Sequence, residues 1–243
     1  MIRKLLERLI RKRNPAFAFD SQIGSSLLLS LILKKGIMFL RSIIYQSLHI
    51  RKPGLQFFGK RVSIFNIAQV KLGKWVVIHE GVYLSALGKG TLSIGNNSGI
   101  GAYSRVEISQ SFHDLGEFIR IGKNVGIGPF ASLGGAGSLE IGDDCIVGPY
   151  FSCHPENHVF DHIQMPIRLQ GVERKGIKIG ANCWIGAKVA ILDGVEVGEG
   201  SVIAAGAILT QSFPPYSIIG GVPARVLRSR LGDNEATEIL SKI

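Results

Sequence analysis

Aliphatic residues return at every sixth position along residues 179–209, at Ile179, Ile185, Ile191, Val197, Ile203 and Leu209. A helix repeats its apolar face about every 3.6 residues and a strand every 2, so a six-residue period keeps these side chains on one side of a strand. Short side chains follow four residues after each of the first five aliphatics, and Gly180, Gly186 and Gly198 follow three of them directly, where a bend without a Cβ is easiest. The pattern predicts a parallel β-helix, a triangular coil of hexapeptide repeats.

The same phase recurs earlier in the chain and is interrupted at a few places. It is carried by Leu72, Ile78, Leu84, Ile94, Ile100, Val106, Ile121, Ile127, Leu133, Ile141, Val147 and Cys153. The phase jumps after Val106, Leu133 and Cys153, and the jumps predict loops that leave a corner of the coil. The longest gap separates Cys153 from Ile179, and a long loop on a rigid solenoid is where function is usually placed.

The N-terminal quarter differs from the rest in charge. The chain has 28 Lys+Arg and 18 Asp+Glu, and residues 1–61 hold 13 of the basic residues with only Glu7 and Asp20 as acids. The segment MIRKLLERLIRKR places apolar residues on one helical face and basic residues on the other. The later apolar run is interrupted by charges and is shorter than the roughly 20 residues of a membrane span.

Two functions of residues 1–50 stay open. The helices lie on an anionic membrane surface, or they pack as a cap on the open end of the coil. Nucleic-acid binding is not expected, because aromatic residues do not alternate with the basic ones. The three cysteines, at 145, 153 and 183, cannot all pair within one chain, and we expect small core residues in a reducing compartment.

Candidate chemistry lies in the longest gap. Residues 152–180 contain His154, His158, His162 and Asp161. Histidine is the side chain best suited to accept a proton at neutral pH, and a nearby carboxylate would fix its tautomer. Three histidines four residues apart also suggest a metal site, but Pro155 argues against the helix that would put them on one face.

Several motifs between residues 154 and 228 resemble the hexapeptide acyltransferases. They are NHVFD, PIRLQGVERKGIKIGANCWIGAKVAIL, GSVIAAGAILT and PPYSIIGGVPARVLR. The resemblance is to the maltose/galactoside acetyltransferase branch and its polysaccharide O-acetyltransferase relatives. It covers about the last third of the chain closely and the coil from about residue 60 in pattern only.

The resemblance implies a role for individual residues. The family's general base falls on His158, in the spacing of Asp161 and the downstream proline, while His154 competes because a proline follows it. The coenzyme A side is implied at Trp184, Ala187, Ala205, Thr210, Arg225 and Arg228. Ala187 matches a backbone N–H that faces the thioester. Gln211 stands where the family often has a lysine, so one phosphate contact is either missing or supplied by Arg225.

The repeat pattern, the N-terminal charge pattern and the resemblance together predict an architecture. We expect a mainly β protein, with a basic amphipathic helical segment over 1–55 and a left-handed parallel β-helix over 56–228. An external loop over about 154–176 and a short C-terminal tail helix over 229–243 complete the expected organisation.

The implied activity is transfer of an acetyl group from acetyl-CoA, as co-substrate and without a metal, to a sugar hydroxyl. The acceptor would be a bacterial surface or exported polysaccharide or its precursor, and the enzyme a cytoplasmic homotrimer. If residues 1–50 lie on a membrane surface and do not only cap the coil, we expect the enzyme at the inner membrane face. Rival acceptors are a free sugar, a sugar-nucleotide amine or an antibiotic. Rivals of other classes are a zinc-bearing β-helix similar to the gamma carbonic anhydrases, with His113 as the outside ligand, and an inactive scaffold.

Overall fold

The computed structural model describes residues 2–11 and 16–231, and its contacts divide the chain into two compact units, residues 1–53 and 54–243. The first unit contains two helices, α1 (Ile2–Arg11) and α2 (Ser25–Leu48), which contact each other. The predicted helical character of the N-terminal segment is therefore confirmed. The predicted C-terminal helix falls mostly on residues 232–243, which lie outside the described residues.

Within the described residues, no helix is both long and apolar enough to cross a membrane. The two acids of the first unit are used inside it. Glu7 forms an ion pair with Arg3 (Nε–Oε1 3.4 Å) and accepts a hydrogen bond from the Phe19 backbone N–H, while Asp20 accepts one from the Gln22 N–H.

The second unit consists of short strands. In chain order they are β1 (Gln56–Phe58), β2 (Ser63–Phe65), β3 (Val70–Leu72), β4 (Val76–Ile78), β5 (Tyr83–Ser85), β6 (Leu92–Ile94), β7 (Gly99–Ile100), β8 (Arg105–Glu107), β9 (Ile119–Ile121), β10 (Gly126–Ile127), β11 (Ser132–Gly134), β12 (Leu139–Ile141), β13 (Ile146–Val147), β14 (Ser152–His154), β15 (Asn157–His158), β16 (Val172–Glu173), β17 (Ile177–Ile179), β18 (Trp184–Ile185), β19 (Ala190–Leu192), β20 (Glu196–Val197), β21 (Val202–Ile203), β22 (Ile208–Leu209), β23 (Ser217–Gly221) and β24 (Ala224–Ser229). Short 3₁₀ helices occupy Ile67–Gln69 and Ile167–Leu169.

Three sheets form the sides of the coil. Sheet A has the order β1-β4-β7-β10-β13-β18-β21-β23-β24, sheet B the order β2-β5-β8-β11-β14-β19-β22, and sheet C the order β20-β17-β12-β9-β6-β3. Successive strands along the chain pass from sheet A to sheet B to sheet C, and neighbours within a sheet are parallel except β24, which is antiparallel to β23. The predicted mainly β fold, a parallel β-helix of hexapeptide repeats, is confirmed.

The side chains at every sixth position form the core. Ile185, Ile191 and Ile203 are at most 1% exposed, and of the aliphatic positions predicted from the period only Leu72 is half-buried. The short side chains four residues later are also buried, which confirms that Cys145 and Cys183 are small core residues beside Cys153. A six-residue period therefore supplies two inward side chains per side of the triangle.

The glycines after the aliphatics have a different cause from the one expected from the sequence. A Cβ on Gly180 would collide with the Glu199 backbone nitrogen, and one on Gly186 would lie 2.5 Å from the Ala205 nitrogen. These glycines are needed because the next coil passes closely over them. The backbone bends two residues later, at positive φ, as at Asn182 (55°) and Lys188 (58°).

The three corners of the coil are distinct. We name them by the sheets that they join: the AB corner, the BC corner and the CA corner. The AB and CA corners are tight turns in every coil, whereas all long excursions leave the BC corner. The two largest are residues 108–118, between β8 and β9, and residues 155–176, between β14 and β17. The latter contains a two-stranded hairpin, β15 and β16.

Candidate active site

A row of side chains across sheet B leads to the BC corner. Glu107 pairs with Gly134, and His154 pairs with Leu192. Because Leu133 pairs with Cys153 and Ile191 with Leu209, the residues that follow them fall into the same row, which ends at Thr210. Strands are about 4.8 Å apart, so Thr210 lies about 10 Å along the coil from His154. Gly134 carries no side chain in this row, and a Cβ there would lie 3.1 Å from the Pro155 ring.

The two BC loops enclose a cleft of about 1070 Å³ over this row. Its walls include His113 and Asp114 from residues 108–118, His158 and Arg168 from residues 155–176, and His154 from β14. The structure therefore brings together the two histidines that the sequence had proposed as the base, and adds His113. All three are exposed, as a proton acceptor that meets a substrate hydroxyl must be.

The hairpin in the long loop positions His158. His158 pairs with Val172 and Asn157 with Glu173, and the Val159 N–H donates to the Gly171 carbonyl (3.1 Å). These backbone bonds hold the His158 backbone at the cleft wall. A histidine on a strand is more precisely placed than one on a free loop, because its backbone torsions are held by pairing.

Arg174 ties the two BC loops together. Its guanidinium lies 3.0 Å from the Asp114 carboxylate and 2.7 Å from the Glu156 carboxylate, and it also donates to the Leu115 carbonyl (3.4 Å). The Arg174 side chain is only 17% exposed. These contacts raise the pKa of Arg174 against the lowering effect of burial, so the charge is retained. Loop 108–118, which carries His113, is thus connected to the segment that carries His158.

A thiol in the cleft wall is unsuited to act as a nucleophile. Cys153 lines the cleft but is only 2% exposed, and burial raises the pKa of its thiol. A nucleophilic cysteine needs an accessible thiolate, which this environment disfavours.

Asp161 lies beside His158 on a second, smaller cleft and not on the first. Among the described residues no hydrogen bond joins Asp161 to His158, nor does any group of three or more His, Cys, Asp or Glu side chains form a metal site. His162 donates its backbone N–H to Gln170 (3.0 Å) and lines neither cleft.

Most residues implied in coenzyme A binding lie on another side of the coil. Trp184 is 58% exposed on the outer face of sheet A. It pairs with Val202, which pairs with Ile218, which pairs with Arg228, so Trp184 and Arg228 share one row about 14 Å long. Arg225 is also on β24, and its guanidinium donates to the Ala224 carbonyl (2.8 Å).

The AB corner presents backbone donors beside this row. Ala187 and Ala205 occupy equivalent positions of successive coils, and neither N–H has an acceptor among the described residues. Pro149 holds the equivalent position one coil earlier and has no N–H to offer. Of the implied coenzyme A residues, only Thr210 shares a row with His154.

Three features of the cleft were missed from the sequence: His113 was considered only as a zinc ligand, while Asp114 and Arg174 were not singled out. The fifteen-residue jump of phase from Val106 to Ile121 was the available signal. Loops that leave a coil at the same corner lie side by side, which joins residues far apart in the chain.

Residues 176–211 match the family described as bacterial transferase hexapeptide (six repeats). The chain carries the hexapeptide repeats of these transferases. The resemblance at this level is confirmed, and the narrower branch stays a prediction.

Two curated relatives bear acetyltransferase names. "Probable acetyltransferase Rv3034c" of Mycobacterium tuberculosis (strain ATCC 25618 / H37Rv) is 29% identical over 185 residues, which are 75% of this chain and 52% of that protein. "Putative acetyltransferase SAR2635" of Staphylococcus aureus (strain MRSA252) is 41% identical over 136 residues, 54% of this chain and 64% of that protein. The chain thus spans about half to two thirds of the length of these relatives.

Among solved structures, the chain is similar to a mutant of AntD, an N-acyltransferase from Bacillus cereus, in complex with dTDP and coenzyme A. The TM-score is 0.49 and the identity 20%, with 78% of this chain and 92% of that chain covered.

Proposed function

We propose that this protein is an acyl-CoA-dependent O-acetyltransferase that moves an acetyl group from acetyl-CoA to a sugar hydroxyl. The observation that carries the proposal is the convergence of His113, His154 and His158 on one open cleft of a hexapeptide coil. The acetyltransferase names of the relatives support the donor. Glu107, Gln110 and Asp114, which line the cleft together with apolar residues, suit an acceptor rich in hydroxyl groups.

His158 is the proposed general base. It would take the proton of the sugar hydroxyl as the oxygen attacks the thioester carbonyl, and it would return that proton to the coenzyme A sulfur as the C–S bond breaks. The buried Cys153 favours direct attack over an acyl-enzyme. Asp161 stays a proposed partner of His158 that a substrate-bound arrangement would have to bring within hydrogen-bond distance.

The donor is proposed to bind along sheet A and the AB corner, with its thioester oxygen near the N–H of Ala187. A backbone N–H in this position stabilises, by its hydrogen bond, the oxyanion that develops during acyl transfer. β19 runs from the AB corner, where Ala187 lies, to the BC corner, and its three residues span about 10 Å at about 3.3 Å per residue. One chain therefore separates Trp184 and Ala187 from His158 by a whole side of the triangle. This separation supports a homotrimer in which the base of one subunit faces the donor groove of its neighbour.

The acceptor is proposed to be a polysaccharide of the cell surface or a precursor of one, met at the inner face of the membrane. The basic N-terminal unit supports this location, because it would hold the enzyme where such precursors are made. A free sugar, a sugar-nucleotide amine and an antibiotic are the acceptors against which this proposal is tested.

The test is thiol release from acetyl-CoA with a panel of sugar, amino-sugar, glycan and antibiotic acceptors. We expect His158→Ala to lose about 10²–10⁴ in rate, the range for a general base. His162→Ala is the matched control, since it removes a histidine of the same loop outside the cleft, and it should keep the wild-type rate. His154→Ala and His113→Ala measure how much the other two cleft histidines contribute to the rate.

Product chemistry separates the alternatives. After acetyl-CoA has been removed, an O-acetyl product is cleaved by alkaline hydroxylamine, whereas an N-acetyl product survives it. If the rate of thiol release falls for His154→Ala and not for His158→Ala, the general base is His154. No binding of coenzyme A would overturn the acyltransferase proposal, and stoichiometric zinc required for activity would favour the zinc enzyme.

A further inference from the structure

An apolar stripe runs along α2 on its exposed side. Its members, spaced three or four residues apart, are Leu29, Leu33, Ile37, Leu40, Ile44 and Leu48, with exposed fractions between 41% and 76%. At about 100° per residue they fall within an arc of about 100°. The stripe is about 28 Å long, at about 1.5 Å per residue.

The buried face of α2 is a different one. Leu28, Met38, Ser42 and Gln46 are its buried residues, and on a helical projection they lie roughly 130–170° from the centre of the stripe. The exposed leucines and isoleucines are thus not the edge of a packed core. A continuous exposed apolar surface of this kind marks a contact with a partner or a membrane.

The charges around the stripe are of one sign. Lys34 and Arg41 lie next to the edge that ends at Leu48, and α2 contains no acidic residue. On α1, Lys4 and Arg8 are exposed and have no ion-pair partner among the described residues. The only acids of the unit, Glu7 and Asp20, are engaged within it.

We propose that this stripe is the contact with an anionic lipid bilayer, on which α2 lies parallel to the surface. A second copy of α2 would have to bring cations against cations, whereas a coiled coil favours flanking charges of opposite sign. A bilayer with anionic headgroups offers apolar chains to the stripe and negative charge to its cationic border at once. The inference extends the membrane location within the proposed function and names the partner.

The test is co-sedimentation of the full chain with vesicles of phosphatidylglycerol and phosphatidylcholine, and with phosphatidylcholine alone. The double variant Leu33→Gln/Leu40→Gln changes the stripe, and we expect at least a tenfold loss of binding to the anionic vesicles. The matched control is Leu27→Gln/Leu31→Gln, exposed leucines of the same helix outside the stripe, expected within twofold of wild type. Circular dichroism verifies that the variants keep their fold.

The cationic border is tested separately. Lys34→Gln/Arg41→Gln should weaken binding to anionic vesicles by about tenfold or more, since each cation near such a surface contributes about a fivefold factor, and high salt should do the same. Equal binding of the two leucine variants would overturn the proposal. So would a stripe variant that changes the oligomeric mass in light scattering but not vesicle binding, which would assign the stripe to a second copy. The assay contains no acetyl-CoA, so its outcome is independent of whether acetyl transfer is confirmed.

Discussion

The CA and BC corners belong to the same coil but are built on opposite principles. At the CA corner four successive coils place Asn97, Asn124, Asp144 and Asn182 at the same turn position, with φ between 55° and 63°. Their side chains form a ladder: Asn97 donates to Asn124 (3.2 Å) and Asn124 to Asp144 (2.8 Å). At the BC corner almost no coil repeats its neighbour, and the chain leaves the coil in loops of different length.

The difference shows that the repeating corner contributes to the stability of the coil, whereas the irregular corner carries the residues of the candidate active site. The repeating corner needs only residues that tolerate left-handed backbone, and Asn and Asp do so at low cost. At the irregular corner the repeat is interrupted by loops, and these loops and the end of β14 place His113, His154, Arg174 and His158 around the cleft. It then needs its own cross-links, and Arg174 is the one that joins the loops.

The largest effect is expected at the irregular corner. Arg174→Met removes the largely buried cation shared by Asp114 and Glu156 and leaves Glu156, whose side chain is 31% exposed, without its partner. We therefore expect a loss of about 2–3 kcal/mol in the free energy of unfolding. Because the loop with His113 is then no longer tied to the His158 segment, kcat should fall about 10–100-fold. Urea unfolding and thiol-release kinetics measure the two effects.

The control for Arg174 is an exposed pair on a regular side of the coil. Arg120 contacts Glu140 at 2.6 Å on the outer face of sheet C, where the Arg120 side chain is 61% exposed. Arg120→Met should cost at most about 1 kcal/mol and leave kcat unchanged. Equal effects of the two substitutions on kcat would show that Arg174 does not organise the cleft.

A glycine pair tests close coil packing. A Cβ at Gly142 of the CA corner would lie 2.5 Å from the Ala181 backbone nitrogen, whereas one at Gly126 on the outer face of sheet A meets nothing within 4 Å. Gly142→Ala should lower the free energy of unfolding by about 1–3 kcal/mol because the coils must separate locally. Gly126→Ala should leave the free energy of unfolding close to that of the wild type. Urea unfolding measures both variants, and an equal loss of stability in the two would contradict the packing argument.

The smallest effect concerns the ladder itself. Asn124→Ala places an alanine at a φ of 55° and removes two exposed hydrogen bonds, so a loss of about 1–2 kcal/mol is expected. Asn124→Gly keeps the left-handed backbone and loses only the hydrogen bonds. If thermal or urea unfolding found the glycine variant as unstable as the alanine variant, backbone conformation would not be what selects asparagine here.

The same contrast between regular and irregular parts of the coil explains what the sequence predicted correctly. The six-residue period located Ile185, Ile191 and the other core positions, since inward and outward residues must alternate along a strand. It also identified the loops as breaks in phase. It gave a wrong reason for Gly180 and Gly186, because the neighbouring coil that approaches them is not visible in a local bend.

The sequence by itself determined the coil, the helical N-terminal unit and the residues able to accept a proton. The arrangement of the cleft was decided only by tertiary structure. His113 and His158 are 45 residues apart and meet because both loops leave the BC corner. The contacts of Arg174 with Asp114 and Glu156 follow for the same reason. The distance of Trp184 from the cleft is likewise a property of the triangle. Stacking joins residues by coil and corner, and periodicity alone does not reveal which corner each loop leaves.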